Sequence, residues 1–223
     1  MYVRQAKDRA KSWVDAHASA TPGFAGAYLA GSILDRDDAV ALPSASDVDL
    51  MVVVAGDPTT KSGKIVVDGV ILEITLLPRD QFQSAVAILP DYHLAHSFAK
   101  TTLLADPTGA LTPLQRDVAN AFGDPEWIRR RCADARSRVV GRLSTLSPDA
   151  PFHQQVVQWM FGNGVVTHVL LVAGLQNPTV RTRYVAVRDL LARTGHAGIY
   201  EPLLALIGCR DIDARQLDTR LDA

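Results

Sequence analysis

The chain has 223 residues, and 48% of them are hydrophobic, which is enough to bury a core in one large domain or two modest ones. Its 23 basic and 24 acidic side chains leave a net charge of −1, so no overall field attracts nucleic acid or an anionic membrane. Cys132 and Cys209 form no CxxC or Cys/His pattern, which excludes a recognisable zinc site or disulfide framework. The first residues mix both charges and lack an apolar run, so we expect a cytoplasmic protein.

The N-terminal half predicts one helix followed by a small sheet. Apolar residues recur at helical spacing over residues 3–18. The strand patterns come next, and Asp68-Gly69 between the last two is a two-residue hairpin signal. Asp80 and Gln83 then resemble a capping box that opens a helix ending near Leu89. About four strands are predicted, at residues 25–30, 48–54, 64–67 and 70–76.

In the C-terminal half, strand signals nearly vanish. Thr112 and Asp124 each precede a proline that suits the first turn of a helix. We therefore predict an α+β fold, with a small mixed β-sheet domain over residues 1–106 and an all-helical domain over residues 107–223. Later helices are predicted at residues 125–146, 153–173, 179–193 and 199–207.

One later stretch is apolar enough to raise the question of a membrane span. Val165 to Gly174 provides only about half of the ~20 residues that a span needs, and it includes His168. We expect a buried helix and no membrane partner.

Two aspartates begin an apolar strand pattern. Because side chains alternate along a strand, Asp47 and Asp49 are expected on one face while Val48 and Leu50 enter the core. The two acidic residues would lie about 7 Å apart along the strand and repel each other unless a cation lies between them. Oxygen ligands favour Mg²⁺, which completes its shell with water and substrate phosphates. The pair therefore predicts a magnesium site that also takes a substrate phosphate.

A third carboxylate and a Gly-Ser pair extend this site. Glu73 lies within an apolar strand, where a carboxylate is costly without a partner. If that strand runs beside the aspartate strand, Glu73 becomes a third metal ligand or the base that takes a proton from the attacking hydroxyl. The alternative is an edge-strand glutamate that faces water. Gly31 lets the backbone approach a phosphate closely and Ser32 can donate its hydroxyl, so this pair is the predicted phosphate turn.

The order of these motifs resembles a known family. Gly31-Ser32, then Asp47 and Asp49 on one strand, then Glu73 on a later strand are similar to the signature of the polymerase-β-like nucleotidyltransferase superfamily. Small bacterial members, including aminoglycoside nucleotidyltransferases, add a C-terminal helical domain. The resemblance implies Mg²⁺-dependent transfer of a nucleoside monophosphate from ATP or another NTP to a hydroxyl, with release of pyrophosphate. It implies metal-binding and catalytic roles for the three carboxylates, and nucleotide binding by the Gly-Ser pair.

Three functions are compatible with these motifs. The first is an enzyme that nucleotidylates a small hydroxylated acceptor. The second is a protein-modifying nucleotidyltransferase of a toxin–antitoxin pair, against which the long helical half argues. The third is a non-catalytic nucleotide-binding module, against which the retention of all three carboxylates argues. The sequence leaves open the acceptor, the preferred NTP, and whether the chain is a monomer or a homodimer.

For the remaining charged residues, a solvated position on the protein surface is the simpler interpretation. Asp35, Asp37 and Asp38 lie in the short helix or loop predicted over residues 33–46, where one of them could serve a nucleotide. Arginines crowd two predicted helices, where the alternatives to a charged face are a phosphate-facing or interdomain role in the first helix and contact with nucleotide or substrate in the second. They are Arg129, Arg130, Arg131, Arg136, Arg138 and Arg142 in one helix, and Arg181, Arg183 and Arg188 in the other.

Overall fold

The structure, a computed structural model, describes residues 1–58 and 63–212. The chain divides into two compact units, Met1–Arg130 and Arg131–Ala223. The first unit contains a five-stranded mixed sheet with helices on it, and the described part of the second is helical, which confirms the α+β class. The units divide later than the boundary predicted near Asp106, because residues 111–121 form a helix that packs with the sheet.

The sheet of the first unit has the strand order β3-β4-β2-β1-β5. Neighbouring strands β2 and β4 are parallel, and the other pairs are antiparallel. The elements are α1 Val3–His17, β1 Phe24–Ala30, β2 Asp47–Val54, β3 Gly63–Val67, β4 Val70–Pro78, α2 Ala85–Ile88, α3 Tyr92–Phe98, β5 Leu103–Ala105 and α4 Leu111–Ala121.

Each face of the sheet has its own hydrophobic core. On one face, α1 buries Val3, Ala6, Ala10 and Val14 against strand residues such as Leu50. This i, i+3, i+4 spacing is the apolar stripe that the sequence predicted for a helix. The opposite face is covered by α2, α3 and α4, whose apolar side chains pack with Tyr28, Met51 and Val53. The sheet is therefore fixed by helices on both sides.

The β3–β4 hairpin has the predicted turn. Asp68 and Gly69 have φ of 47° and 78°, as a two-residue turn of the mirror-image type requires. Asn, Asp and Gly tolerate positive φ better than other residues do. The turn fixes the register of the hairpin, which pairs Val67 with Val70 and, farther from the turn, Lys64 with Glu73.

Three local predictions were wrong. The sheet has a fifth strand, β5, whose residues are only half-buried and too few to produce a pattern. The region predicted as one helix after Asp80 contains a short 3₁₀ helix and then α2, which is capped by Ser84 instead. Helix α4 begins at Leu111, because the Asp106 carboxylate accepts hydrogen bonds from the Leu111 and Thr112 amides. A polar side chain several residues before a helix can therefore cap it, even when another polar residue lies nearer to its first turn.

The second unit is built around helices α6, α7 and α8, Phe152–Ala173, Arg183–Arg193 and Tyr200–Leu206, and α5, Pro125–Ser144, leads into it. A small core joins α6, α7 and α8, formed by Leu171, Val187, Leu190, Leu191 and Leu203. Among the described residues, α6 alone has the length and hydropathy of a membrane span, and 39% of its apolar window is buried. It is longer than the apolar stretch that the sequence singled out. The core helix of a globular protein meets the same criteria.

Candidate active site

The predicted acidic residues form a row across neighbouring strands. Asp49 of β2 is paired with Glu73 of β4, and Glu73 is paired with Lys64 of β3. Residues paired in this way project from the same face of a sheet. Asp47 lies two residues before Asp49 and shares its face, while Val48 and Leu50 are fully buried on the other side. The condition set for Glu73, a strand beside the aspartates, is therefore met. We call Asp47, Asp49 and Glu73 the carboxylate triad.

The side chains of the triad are partly buried. The Asp47 and Glu73 side chains keep 15% and 20% of their surface exposed. Farther along the same face of β2, Met51 and Val53 pack in the core beneath α2 to α4. The carboxylates thus lie where the helical cover ends, close enough to the core to be held in place and open enough to meet a ligand.

Gly31 is pressed against the triad. It follows β1 directly, where Ala30 is paired with Asp49, and it has a φ of 72°. A Cβ atom at this position would overlap the Asp49 carboxylate. Glycine is required here for two reasons, because L side chains strain at this φ and because Asp49 takes the space that a methyl group would need. Ser32, the next residue, is exposed.

A lysine that the sequence analysis did not select bridges two of the triad carboxylates. The Lys64 ammonium donates a hydrogen bond to Asp47 Oδ2 and lies 3.2 Å from Glu73 Oε2. Its hydrogen bonds to Asp47 and then to Glu73 raise the pKa of Lys64 above its ordinary value. The Lys64 side chain is 48% exposed. The triad therefore has a positive charge in contact with two of its three members.

The chemistry of these donors fits Mg²⁺. All three side chains offer oxygen, and the Lys64 ammonium demonstrates that Asp47 and Glu73 can share one cation. Across residues 1–58 and 63–212, however, no three His, Cys, Asp or Glu side chains converge closely enough to hold a metal ion. A metal ligand set of all three carboxylates accordingly stays a prediction.

The acidic residues of the loop after Ser32 have structural partners. Asp38 accepts a hydrogen bond from Lys7 at 2.9 Å and lies 3.4 Å from Arg4, both on α1. Asp37 accepts a hydrogen bond from the Ala39 amide. Asp35 contacts the Lys100 ammonium and lies near buried His96. We call Asp35, Asp37 and Asp38 the loop carboxylates.

The arginines of α5 mostly have local partners too. Arg129 and Arg130 both contact Glu126, and Arg138 contacts Asp134, each within 3.0 Å. Arg131 is buried, and burial lowers its pKa from the ordinary value. These contacts agree with the simpler reading of the arginines as structural and surface residues.

A cavity of about 790 Å³ lies at the other end of the sheet from the triad. Its lining includes Ala55 and Arg79, which directly follow β2 and β4, whereas the triad lies in the first halves of those strands. Phe82 and Leu111 contribute apolar side chains to the lining. The cavity is therefore not an extension of the carboxylate site.

Comparison with known proteins adds little to this geometry. No family model matches the chain, and no curated protein matches it. Among solved structures, it is similar to a nucleotidyltransferase-like protein from Exiguobacterium sibiricum, with 15% identity, 96% of this chain and 75% of that chain covered, and a TM-score of 0.40. At this TM-score the likeness carries no weight for function. Any function must be inferred from the side chains themselves.

Proposed function

We propose that this protein transfers a nucleoside monophosphate from ATP or another NTP to a hydroxyl of a small-molecule acceptor, with release of pyrophosphate. The acceptor oxygen forms a bond to the α-phosphorus, and the bond from that phosphorus to the pyrophosphate oxygen breaks. The observation that carries the proposal is the pairing of Asp49 with Glu73 beside the turn at Gly31. Asp47, Asp49 and Glu73 then lie on one face of the sheet, and the backbone of Gly31 lies against Asp49.

In this proposal Asp47 and Asp49 hold Mg²⁺ through their carboxylate oxygens. The metal, when bound, supplies positive charge that stabilises the charge developing on the triphosphate. Two aspartates on one strand face are suited to this role because their Cα positions are fixed by the buried residues between and after them, Val48 and Leu50. Preorganised ligands of this kind lose little entropy when they bind.

Glu73 and the Gly31-Ser32 turn take the remaining roles. Glu73 accepts the proton that the acceptor hydroxyl loses as its oxygen attacks. The exposed Ser32 hydroxyl donates a hydrogen bond to a phosphate oxygen, and Gly31 lets Asp49 lie against the backbone of the turn. An acceptor pocket is not assigned to particular residues, so the acceptor is proposed only as a hydroxylated small molecule.

Calorimetric titration of ATP tests the nucleotide and metal parts of the proposal. We expect ATP to bind in the presence of Mg²⁺ and to bind at least ~10-fold more weakly with EDTA or in Asp49→Asn. Asp37→Asn is the matched control, because it removes a carboxylate of the same chemistry from the loop instead of the strand. Equal ATP affinity with and without Mg²⁺ would contradict the proposal.

A screen of hydroxylated acceptors tests the transfer itself. Incubation with labelled ATP and Mg²⁺ should yield a labelled adduct and an equal amount of pyrophosphate for at least one acceptor class. The same incubation with Asp49→Asn should yield neither product. Adduct formation that persists in Asp49→Asn would place the reaction elsewhere in the protein.

A further inference from the structure

Lys64 is the residue of the site whose role the proposed function leaves unassigned. It lies on β3, the edge strand of the sheet, opposite Glu73. Its ammonium reaches past Glu73 to Asp47 and contacts both carboxylates. A single positive charge therefore lies against Asp47, one of the two proposed metal ligands, and against Glu73, the proposed base.

The electrostatics explain why a cation is needed there. Three clustered carboxylates repel one another, and each loses hydration because it is partly buried. A lysine is a compact point charge at the end of a flexible stem of four carbons. The contact with Lys64 thus balances part of the negative charge when no other cation is bound.

The position of Lys64 also allows it to leave. Its side chain is 48% exposed, and within residues 1–58 and 63–212 β3 has a neighbouring strand on one side only. The residues beside it on β3, Gly63 and Ile65, are half-buried, so the strand itself is held by the sheet. The ammonium can move into water by rotation of its side chain without breaking a strand contact.

We propose that Lys64 is an exchangeable internal counter-cation, which holds Asp47 and Glu73 in the absence of divalent metal and is displaced when the metal binds. The inference rests on the proposed function, since it concerns the same metal site. Lys64 then lowers the metal affinity of the site, because a metal that binds Asp47 must replace the contact of Lys64 with that carboxylate. An ordinary surface ion pair, by contrast, would not compete with the metal.

Binding of Mn²⁺ alone, measured by electron paramagnetic resonance, tests the inference in the full-length protein. A neighbouring positive charge changes the cation affinity of a carboxylate by about tenfold or more, as it does for protons. Lys64→Met should accordingly bind Mn²⁺ about tenfold more tightly than the wild type. Lys11→Met is the matched control, because Lys11 has a similar exposed contact with Asp15 on α1 and should leave Mn²⁺ affinity unchanged.

A second pair of variants keeps the test decisive. If Lys64→Met does not fold, Lys64→Gln removes the charge and keeps a polar side chain of similar reach. In a Glu73→Gln background, the effect of Lys64→Met should shrink, because one of the two contacts is already lost.

Equal Mn²⁺ affinity in wild type and Lys64→Met would overturn the inference and leave the metal site intact. Weaker binding in Lys64→Met would also overturn it, since Lys64 would then support the ligands. No Mn²⁺ binding by any variant would overturn both the inference and the proposed metal site.

Discussion

The carboxylate triad and the loop carboxylates are two acidic regions that lie close together in the sequence and differ in what surrounds them. Each loop carboxylate has a role in holding the fold, through a lysine, an arginine or a backbone amide. The triad members lie on paired strands, where the register brings Asp49 and Glu73 side by side. Like charges placed directly opposite each other in a sheet destabilise it.

This difference indicates which acidic residues have a function beyond folding. An acidic residue that caps or pairs is explained by the stability that it contributes. Asp49 and Glu73, side by side on neighbouring strands, instead form a pair of like charges, which costs stability, and Lys64 contacts Glu73 of this pair. We therefore expect substitutions in the triad to change activity, and substitutions of capping and pairing residues to change stability.

The largest expected effect is that of Glu73→Gln on activity. Loss of a general base should lower the rate of nucleotidyl transfer by ~10²-fold or more. Its metal-free melting temperature should change little, because the lost contact with Lys64 is partly exposed and the repulsion from Asp49 is relieved as well. Rates come from pyrophosphate release and stability from thermal melts.

Glu126→Gln is the control for that experiment, since it removes a glutamate that pairs with Arg129 and Arg130. It should retain wild-type activity. A clear drop in the melting temperature of Glu73→Gln with activity retained would make Glu73 a structural ion-pair partner, and the contrast between the two acidic regions would disappear.

Gly31→Ala should have the next largest effect, on stability and nucleotide binding together. A left-handed φ costs an alanine roughly 1–2 kcal/mol, and the added methyl group would also displace the Asp49 carboxylate. Gly56→Ala is a matched control, because Gly56 has a φ of 83° and nothing within 4 Å of the added atom. Urea unfolding should therefore show a greater loss for Gly31→Ala than for Gly56→Ala. Equal losses would mean that the Asp49 side chain moves away from the added methyl group at no cost in stability. The contact between Gly31 and Asp49 would then have no consequence.

Asp106→Asn tests a carboxylate whose role is to cap a helix. Burial alone would raise the pKa of Asp106, but hydrogen bonds from Thr112, Leu111 and Ala110 together lower it from its ordinary value of 3.8. A lowered folded pKa means that the stabilisation is complete above this ordinary value and is lost as the pH falls through the lower folded value. Asp106→Asn keeps a capping oxygen and removes only the charge, so the cost at neutral pH should be below the ~1 kcal/mol of losing a cap altogether. Urea unfolding of both proteins should give free energies that converge in acid, and a constant difference would exclude the charge as the cause.

The smallest effect is expected for Asp38→Asn. Its hydrogen bond with Lys7 lowers the pKa of Asp38, with further contributions from the charges of Lys7 and Arg4. Because the pair is partly exposed, its removal should lower the melting temperature only slightly, and the difference should shrink at high salt. ATP binding should not change. Impaired ATP binding would move the loop carboxylates into the functional class.

Much of the site was accessible from the sequence because it depends on local periodicity. Alternation along β2 put Asp47 and Asp49 on one face, and it did so without knowledge of any other strand. Lys64 was missed, although the two-residue turn at Asp68-Gly69 contains the signal. Counting outward from that turn pairs Lys64 with Glu73.

Other features depend on segments that are distant in the chain. The fifth strand exists because β1 offers a free edge to three residues that have no strand pattern of their own. Asp106 caps α4 from five residues before its first turn, because the chain folds back between them. Short local patterns cannot predict either contact.

By itself, the sequence determined the α+β class, the turn at Gly31, the common face of Asp47 and Asp49, and the presence of a carboxylate in an apolar strand. Each of these depends on residues within about one element of each other. Only the tertiary structure decided that β4 lies parallel to β2 in the register that pairs Glu73 with Asp49, and that Lys64 reaches across to Asp47. Parallel strands are joined by a crossover instead of a tight turn, so their register is set by the packing of both faces and not by the intervening sequence.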